Sequence, residues 1–339
     1  MANADSNALT IADYAMMSND PLVLKITKSL LIQGAIFGDI PYVTKKTLKV
    51  NGVRWQDNLP SVTWAKLNTG LTVTKGKPTA YEEQAFFVRN AIDVDLAYLE
   101  DENRIGDPRA QMLEAYIQGV VYDYNNKFIN NNPIDGEDDA IVGLRYRLDN
   151  YDAYRVHSDM IINGGGVDMT QAAMTAATAN NFLEFIEQQL TVMGAPEGDG
   201  VVFYCNELLK RRWERAIRLL GAGAGWSMQR DAFDRAITMY KNAKIVVIGR
   251  TADQTTQIIT NTESSAGAAG SSTYTSLYAV KYGEEAFMGW QWDSLPNSIQ
   301  DIGLIGNDGV TARIKIDWGN GILPQSNRCL SRIYGIKVS

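Results

Sequence analysis

Residues 107–132, DPRAQMLEAYIQGVVYDYNNKFINNN, decide the fold, because they are the longest segment that keeps one helical period. Asp107 suits the N-cap, Pro108 suits the first helical position, and the asparagines before Pro133 end the segment. Its apolar face carries, at three- and four-residue steps, Leu113, Tyr116, Ile117, Val120, Tyr124 and Phe128. At ~1.5 Å per residue the helix spans roughly 35 Å. We therefore predict a long helix, the spine helix, around which a domain is built.

Composition limits the possible functions. The chain has 339 residues, of which 45% are hydrophobic, and its 39 acidic and 32 basic residues give a formal charge of −7. This acidity disfavours a protein that grips duplex DNA through a wide basic face, but not one that only encloses DNA. There is no apolar run of ~18 residues, and the N-terminus lacks the basic and apolar regions of a secretory signal. We predict a folded protein of the cytoplasm without a membrane span.

The residues that usually carry chemistry are scarce. Cys205 and Cys329 are far apart in sequence and predict two reduced, buried thiols. The single histidine, His157, leaves no histidine metal cluster and argues against a Ser-His-Asp triad. The acidic run 135–139 lacks calcium-loop spacing, so a solvated loop is favoured over a cation site. A further set of carboxylates before the spine helix suggests an acid/base pair but is better explained as solvating charge: Asp93, Asp95, Glu100, Asp101 and Glu102. We predict no catalytic, cofactor or metal site.

The N-terminal third divides into two patterns. Residues 10–32 predict an amphipathic helical arm, interrupted at Asn19-Asp20-Pro21. Residues 42–95 change to β-branched and aromatic residues, with Asn51-Gly52 as a turn dipeptide and strands expected at 62–67 and 71–78. These strands are rich in lysine and poor in residues that form a core. We predict an extended β excursion that projects from the body.

The remainder alternates between helix and strand. Helices are predicted at 174–190, at 207–220 with Asn206 as N-cap, and at 231–239. Buried strands are predicted at 201–205 and 243–248, and two more at 273–280 and 285–292 in the same α/β unit. The triple glycine at 164–166 predicts a flexible crossing between substructures. Strands at 311–318 and 331–338 close the chain, and we expect both to pack on the spine helix.

One basic helix face has two possible partners. Arg211, Arg215 and Arg218 fall on the same side of the helix at 207–220. They are placed to contact phosphates or to form salt bridges with another subunit. The net acidity of the chain favours a solvated or intersubunit face.

Taken in order, these elements resemble the major capsid proteins of tailed bacteriophages, with the HK97-like (Hong Kong 97) fold. The resemblance covers essentially the whole chain. It is carried by LPSVTWAKLNTGL at 59–71, DPRA at 107–110, SLYAVKYG at 276–283 and RIYGI at 332–336.

The resemblance implies an α+β fold with four parts. These are an N-terminal arm at 1–43, an extension loop at 44–95, a peripheral domain at 96–160 and 301–339, and an axial domain at 161–300. The excursion would then complete its burial on a neighbouring subunit. The residues expected at intersubunit contacts are Trp55, Trp64, Lys66, Arg211, Arg215 and Arg218.

The resemblance also implies a function, a non-enzymatic one without a cofactor. Copies assemble as hexamers and pentamers into an icosahedral shell around double-stranded DNA, through a precursor that matures in the host cytoplasm. A portal protein and possible decoration proteins are expected partners. A separate scaffolding protein is expected because the arm begins about ten residues into the chain. The alternative is an encapsulin-type compartment, and an enzyme built on the α/β unit is the least favoured hypothesis.

Overall fold

The computed structural model describes residues 36–54, 59–97, 108–133, 139–221, 225–230, 236–263, 274–293, 298–305 and 310–339. The helices are α1 Pro108–Asn130, α2 Leu144–Asp149, α3 Tyr151–Tyr154, α4 Ala176–Val192 and α5 Glu207–Leu220. The strands of the first half are β1 Tyr42–Thr44, β2 Lys49–Arg54, β3 Thr79–Gln84, β4 Phe86–Asp95, β5 Ile161–Asn163 and β6 Val201–Cys205. Those of the second half are β7 Trp226–Arg230, β8 Ala236–Tyr240, β9 Ala243–Val247, β10 Tyr274–Lys281, β11 Phe287–Gln291, β12 Ile299–Ile305, β13 Thr311–Pro324 and β14 Leu330–Lys337.

The spine helix is α1, 23 residues long, as predicted. Its proposed cap, Asp107, lies outside the described residues. The buried stripe consists of Leu113, Ile117, Val121, Tyr124, Phe128 and Ile129. Val121 is therefore the buried valine, whereas the predicted Val120 is only half-buried. The four- and three-residue steps of this stripe turn one face of α1 toward the core.

The first sheet has five strands in the order β1-β11-β13-β12, with β4 also paired to β13. The 14-residue β13 is its axis, because β4 pairs along residues 311–320 while β12 and β11 pair along the two ends of the opposite edge. Trp318 of β13 is fully buried, and its ring lies 5.6 to 6.2 Å from those of Phe37, Tyr42 and Tyr124. This aromatic cluster joins the sheet to α1 and to the segment that enters β1.

The second sheet has seven strands in the order β5-β14-β10-β6-β9-β8-β7. Phe182 of α4, Trp213 of α5 and Phe203 of β6 pack ring to ring at 5.5 to 5.6 Å. Asn206 caps α5 by accepting from Leu209 N at 2.7 Å, as predicted. Most buried apolar side chains of both sheets and α1 form one continuous core, and Met288, Trp290 and Leu323 form a second, small cluster on the five-stranded sheet.

Four further predicted features, outside α1 and residues 59–78, differ from the structure. Residues 236–239 of the predicted helix 231–239 lie in strand β8, which has ladder partners in both β7 and β9, and residues 231–235 are outside the described residues. Asn51-Gly52 is not a turn but lies inside β2, where the Tyr81 ring covers Gly52 so closely that a Cβ atom would sit 2.1 Å from it. The third feature, 164–166, is a tight turn hydrogen-bonded to β14 through Gly164 N and Tyr334 O at 2.8 Å.

The fourth difference concerns sheet membership. Strands β10 and β11, predicted in one unit, belong to the seven-stranded and five-stranded sheets respectively. The last strand, β14, lies in the seven-stranded sheet beside β10 and β5, rather than joining β13 on the spine helix. Each sheet thus contains strands from distant parts of the chain. In the part of the chain that the structure describes, no helix is long and apolar enough to span a membrane.

Candidate assembly surface

Residues 59–78 form a long loop between β2 and β3, which pair as an antiparallel ribbon from Lys49 opposite Gln84 to Arg54 opposite Thr79. The strands predicted at 62–67 and 71–78 do not form, because this segment has no ladder partner among the described residues. It folds back on itself through a bond from Thr74 Oγ1 to the Ser61 carbonyl at 2.9 Å. A turn closed by Thr69 N and Lys66 O forms its tip.

The tip has a defined shape. Asn68 lies in the left-handed region at φ 68°, a conformation that asparagine tolerates better than most residues. Gly70 follows and provides a second flexible position. The loop is therefore a closed extension, the tip loop, with few contacts to the rest of the chain.

The tip loop exposes large apolar side chains. Trp64 is 95% exposed and Leu71 is 100% exposed. The others with more than two-thirds of their surface exposed are Leu59, Val62, Leu67 and Val73. Single exposed apolar residues are common on protein surfaces, but a contiguous set of this kind marks an interaction surface. In the isolated chain these large apolar side chains therefore remain exposed to solvent.

The base of the same excursion, in contrast, is held firmly. Arg147 of α2 is 1% exposed and donates to both oxygens of Glu83 on β3, at 2.6 and 2.8 Å. Burial opposes the charge of Arg147, but the Glu83 carboxylate outweighs it and raises the pKa of the guanidinium. Arg147 also donates to the Val142 carbonyl at 3.1 Å and lies over the Tyr154 ring. This bidentate pair fixes the direction in which the ribbon leaves the body.

The predicted contact residues fall in two separate places. Trp55 lies outside the described residues, while Trp64 and Lys66 are exposed on the tip loop. The three arginines lie on α5, which packs on the seven-stranded sheet. Arg211 and Arg218 are exposed and Arg215 is half-buried, and Arg211 pairs with Glu207 one turn earlier. The described structure thus leaves both sets accessible without joining them in one site.

The sequence reasoning did not identify the Arg147–Glu83 anchor. The two residues are 64 positions apart, and no local pattern pairs them. The available signal was a charged residue inside the short helix 144–149, LRYRLD, between leucines that are both buried. A buried arginine requires a carboxylate, and the adjacent Glu82 and Glu83 were the nearest acidic residues on the excursion's return strand.

The residues considered for chemistry have structural roles. His157 Nδ1 accepts from Asp159 N at 3.3 Å and caps a short 3₁₀ turn. Asp93 forms a two-bond ion pair with Arg313, which lowers the pKa of that carboxyl. Both cysteines are free and buried, as predicted, and burial raises the pKa of Cys205 to about 12. Among the described residues no group of acidic, histidine or cysteine side chains has the arrangement of a metal site; residues 135–138 of the acidic run lie outside them.

Known proteins resemble this chain in part of its sequence and in its fold. Residues 20–173 match the family described as Major capsid protein GP7, which is less than half of the chain. No curated protein matches the chain in sequence. Among solved structures, the capsid of the native GTA particle is similar at TM-score 0.58 and 8% identity, covering 89% of this chain and 90% of that chain. A structure from Microbacterium phage Oxtober96 is similar at TM-score 0.51 and 13% identity, covering 89% of this chain and 90% of that chain.

The chain has the HK97-like capsid fold. The predicted resemblance to tailed-phage major capsid proteins is thereby confirmed. The same fold is found in the holo-SrpI encapsulin complex from Synechococcus elongatus PCC 7942, at TM-score 0.57 and 12% identity, covering 98% of this chain and 97% of that chain.

Proposed function

We propose that this protein is the repeating subunit of an icosahedral phage shell, which assembles as hexamers and pentamers around double-stranded DNA. One observation carries the proposal. A firmly anchored ribbon presents a closed loop whose large apolar side chains are almost fully exposed. A monomeric protein has no use for such a surface, whereas a subunit buries it on its neighbour.

The match to a major capsid protein family over residues 20–173 supports this proposal. The subunit is then structural rather than catalytic, and its net charge of −7 is compatible with a shell that encloses DNA without binding it tightly. On this proposal the division into an extension loop at 44–95, a peripheral domain and an axial domain at 161–300 is kept, except that β11 belongs to the sheet of the peripheral domain and β14 to the sheet of the axial domain. The partners are other copies of the chain, a separate scaffolding protein, a portal protein and possible decoration proteins, and the product is the virion capsid, assembled in the host cytoplasm.

The test is assembly. The full chain is expressed alone and with its own scaffolding protein, and the products are measured by light scattering and electron microscopy. We expect megadalton particles that appear as closed, hollow shells. A chain that remains monomeric at high concentration, with and without the scaffolding protein, would contradict the proposal.

An encapsulin-type compartment is the second candidate, because the cyanobacterial encapsulin complex shares the fold over 98% of this chain. The contents of the particle separate the two functions. Particles isolated from the native source should contain double-stranded DNA if the chain is a phage capsid subunit. They should contain a defined cargo protein and no genome if it is a compartment shell.

A further inference from the structure

Two buried arginines connect the short helix α2 to distant parts of the chain. Arg147 of α2 is 1% exposed and binds both carboxylate oxygens of Glu83 on the β2–β3 ribbon. Arg332 of β14 is also 1% exposed and donates to Asp149, the last residue of α2, at 2.6 Å. Helix α2 therefore forms one ion pair with the ribbon and a second with the seven-stranded sheet.

Arg332 extends the second connection into the core. Its guanidinium donates to Ser276 of β10 at 3.1 Å and to Glu263 at 3.3 Å. Glu263 is itself 4% exposed and accepts a hydrogen bond from Tyr278 of β10 at 3.0 Å. It is the last residue of the segment 258–263, the strap, which is hydrogen-bonded to β10.

The strap also joins two helices to the sheet. Asn130, at the end of α1, donates to the Ile258 carbonyl at 2.8 Å. Asn206, the N-cap of α5, donates to the Ile259 carbonyl at 3.3 Å and to Asn261 Oδ1 at 2.7 Å. Because these bonds belong to one buried network, a shift of the strap changes the packing of α1, α5 and β10 together.

Helix α2 is too short to absorb a displacement internally. It has six residues, and Gly143 before it lies so close to the end of α1 that a Cβ atom would come within 2.5 Å of Asn131 N. Arg147 and Asp149 are two positions apart, so their side chains leave the helix on nearly opposite sides. A displacement of α2 toward the ribbon therefore changes the geometry of the Asp149–Arg332 pair.

The ribbon, in contrast, has space beside it. A groove of 390 Å³ lies between the ribbon and α3, with Glu83 and Gln84 on one side and Ala153 and Tyr154 on the other. The ribbon can move into this space without a collision, but Arg147 is closed to solvent and cannot exchange its carboxylate for water. The guanidinium must therefore follow Glu83.

We propose that α2 is a coupling element, which passes a change in the position of the ribbon through its two ion pairs to Arg332 and the strap. Buried charges carry this coupling, because a guanidinium that loses its carboxylate in a site closed to solvent is moved rather than rehydrated. Exposed ion pairs do not, since water replaces the lost partner at little cost. A partner that shifts the ribbon therefore alters the packing at the seven-stranded sheet.

Hydrogen exchange of the unassembled full chain tests the coupling. Glu83→Gln removes the carboxylate charge with little change in size and leaves Arg147 buried. We expect amide protection in the strap to fall at least fivefold more than protection at residues 182–190 of α4, which report the global stability of the same part of the chain. Glu82→Gln is the matched control. Because its partner Lys49 is 60% exposed, strap protection should follow that of α4.

The reverse experiment uses Glu263→Gln, because coupling is reciprocal. Protection of β3, residues 79–84, should fall at least threefold more than that of α4. In the neutral double variant Glu83→Leu/Arg147→Met no charge connects the ribbon to α2, and Glu263→Gln should then change the protection of β3 only in step with that of α4. This background also tests the coupling if Glu83→Gln does not fold.

The results that would overturn the role of α2 are specific. Strap protection that follows α4 in Glu83→Gln is one, and a β3 response to Glu263→Gln that persists in the neutral double variant is another. An equal response of the strap to Glu82→Gln and Glu83→Gln would overturn it as well, since the exposed pair does not include α2. All measurements use the unassembled subunit, so a failure of the shell proposal does not affect them.

Discussion

Strand β13 and the tip loop have similar sequence patterns but differ in strand pairing and in burial. Residues 311–318, TARIKIDW, alternate polar and apolar, and β13 pairs with β4 on one edge and with β12 and β11 on the other. Residues 62–67, VTWAKL, have a similar β composition and pair with no strand in the part of the chain that the structure describes. Trp318 of β13 is fully buried, and Trp64 of the loop is 95% exposed.

The difference shows that a β pattern specifies an extended backbone but not its partner. For β13 the partners are supplied by the same chain, and the apolar side of the strand closes on α1. For the tip loop the described residues supply an anchored base but no strand partner. The unpaired backbone groups of an extended segment can pair with a strand of another molecule. A β pattern that has no partner among the described residues therefore indicates a contact with another molecule.

The largest expected effect comes from replacing each of the two tryptophans, Trp318 and Trp64, with alanine. Trp318→Ala should lower the free energy of unfolding of the unassembled subunit by about 3–5 kcal/mol, because it empties the aromatic cluster. Trp64→Ala should change it by no more than about 0.5 kcal/mol, because the side chain has no core contacts. Urea denaturation measures both, and light scattering should show that Trp64→Ala nevertheless loses assembly. Equal destabilisation by the two variants would refute the comparison.

A second prediction tests the anchored base of the loop. Glu83→Ala leaves the buried Arg147 without its carboxylate and should cost about 3 kcal/mol of subunit stability. The adjacent Glu82→Ala is the matched control. Its partner Lys49 is 60% exposed and the loss should be about 0–1 kcal/mol. The double variant Glu83→Leu/Arg147→Met should recover much of the loss, and a similar cost for Glu82→Ala and Glu83→Ala would show that the buried pair has no special role.

Local sequence signals correctly predicted the elements whose formation depends on residues close in sequence. The helical period gave α1, the side chain of Asn206 gave the start of α5, and strict alternation gave β13. Each of these depends on residues within a few turns or positions. The same signals failed at β8, whose five residues are too few to separate a helical from an alternating pattern.

Long-range partners could not be predicted in this way. The placement of β14 beside β10, and of β11 beside β13, depends on registers between segments that are tens of residues apart. The Arg147–Glu83 pair likewise joins two residues that are 64 positions apart. The sequence did predict that the excursion lacks a core of its own, because its composition is a local property.

A third prediction concerns the shape of the tip. Valine disfavours the left-handed backbone that Asn68 adopts at φ 68°, by about 1–2 kcal/mol. Asn68→Val should therefore reduce the population of the assembly-competent loop and raise the critical concentration for assembly by about 5–30-fold. Subunit unfolding should remain unchanged, because the loop is not part of the core. Asn68→Gly keeps the left-handed conformation accessible and should assemble like the native chain; a normal critical concentration for Asn68→Val would show that the tip shape is irrelevant.

The smallest expected effect on subunit stability concerns the C-terminal strand β14, whose end is held by the ion pair between Asp168 and Lys337. Hydrogen bonding by Thr170 and then the Lys337 ammonium at 3.0 Å lower the pKa of Asp168 from 3.8 to about 2. Since the pKa is lower in the folded state, the stabilisation is fully present above pH 3.8 and is lost as the pH falls toward 2. The difference in stability between the native chain and Asp168→Asn should be constant near neutral pH and shrink across that interval. A stability difference that stays constant from neutral pH down to pH 2 would show that the Asp168 carboxylate does not hold the end of β14.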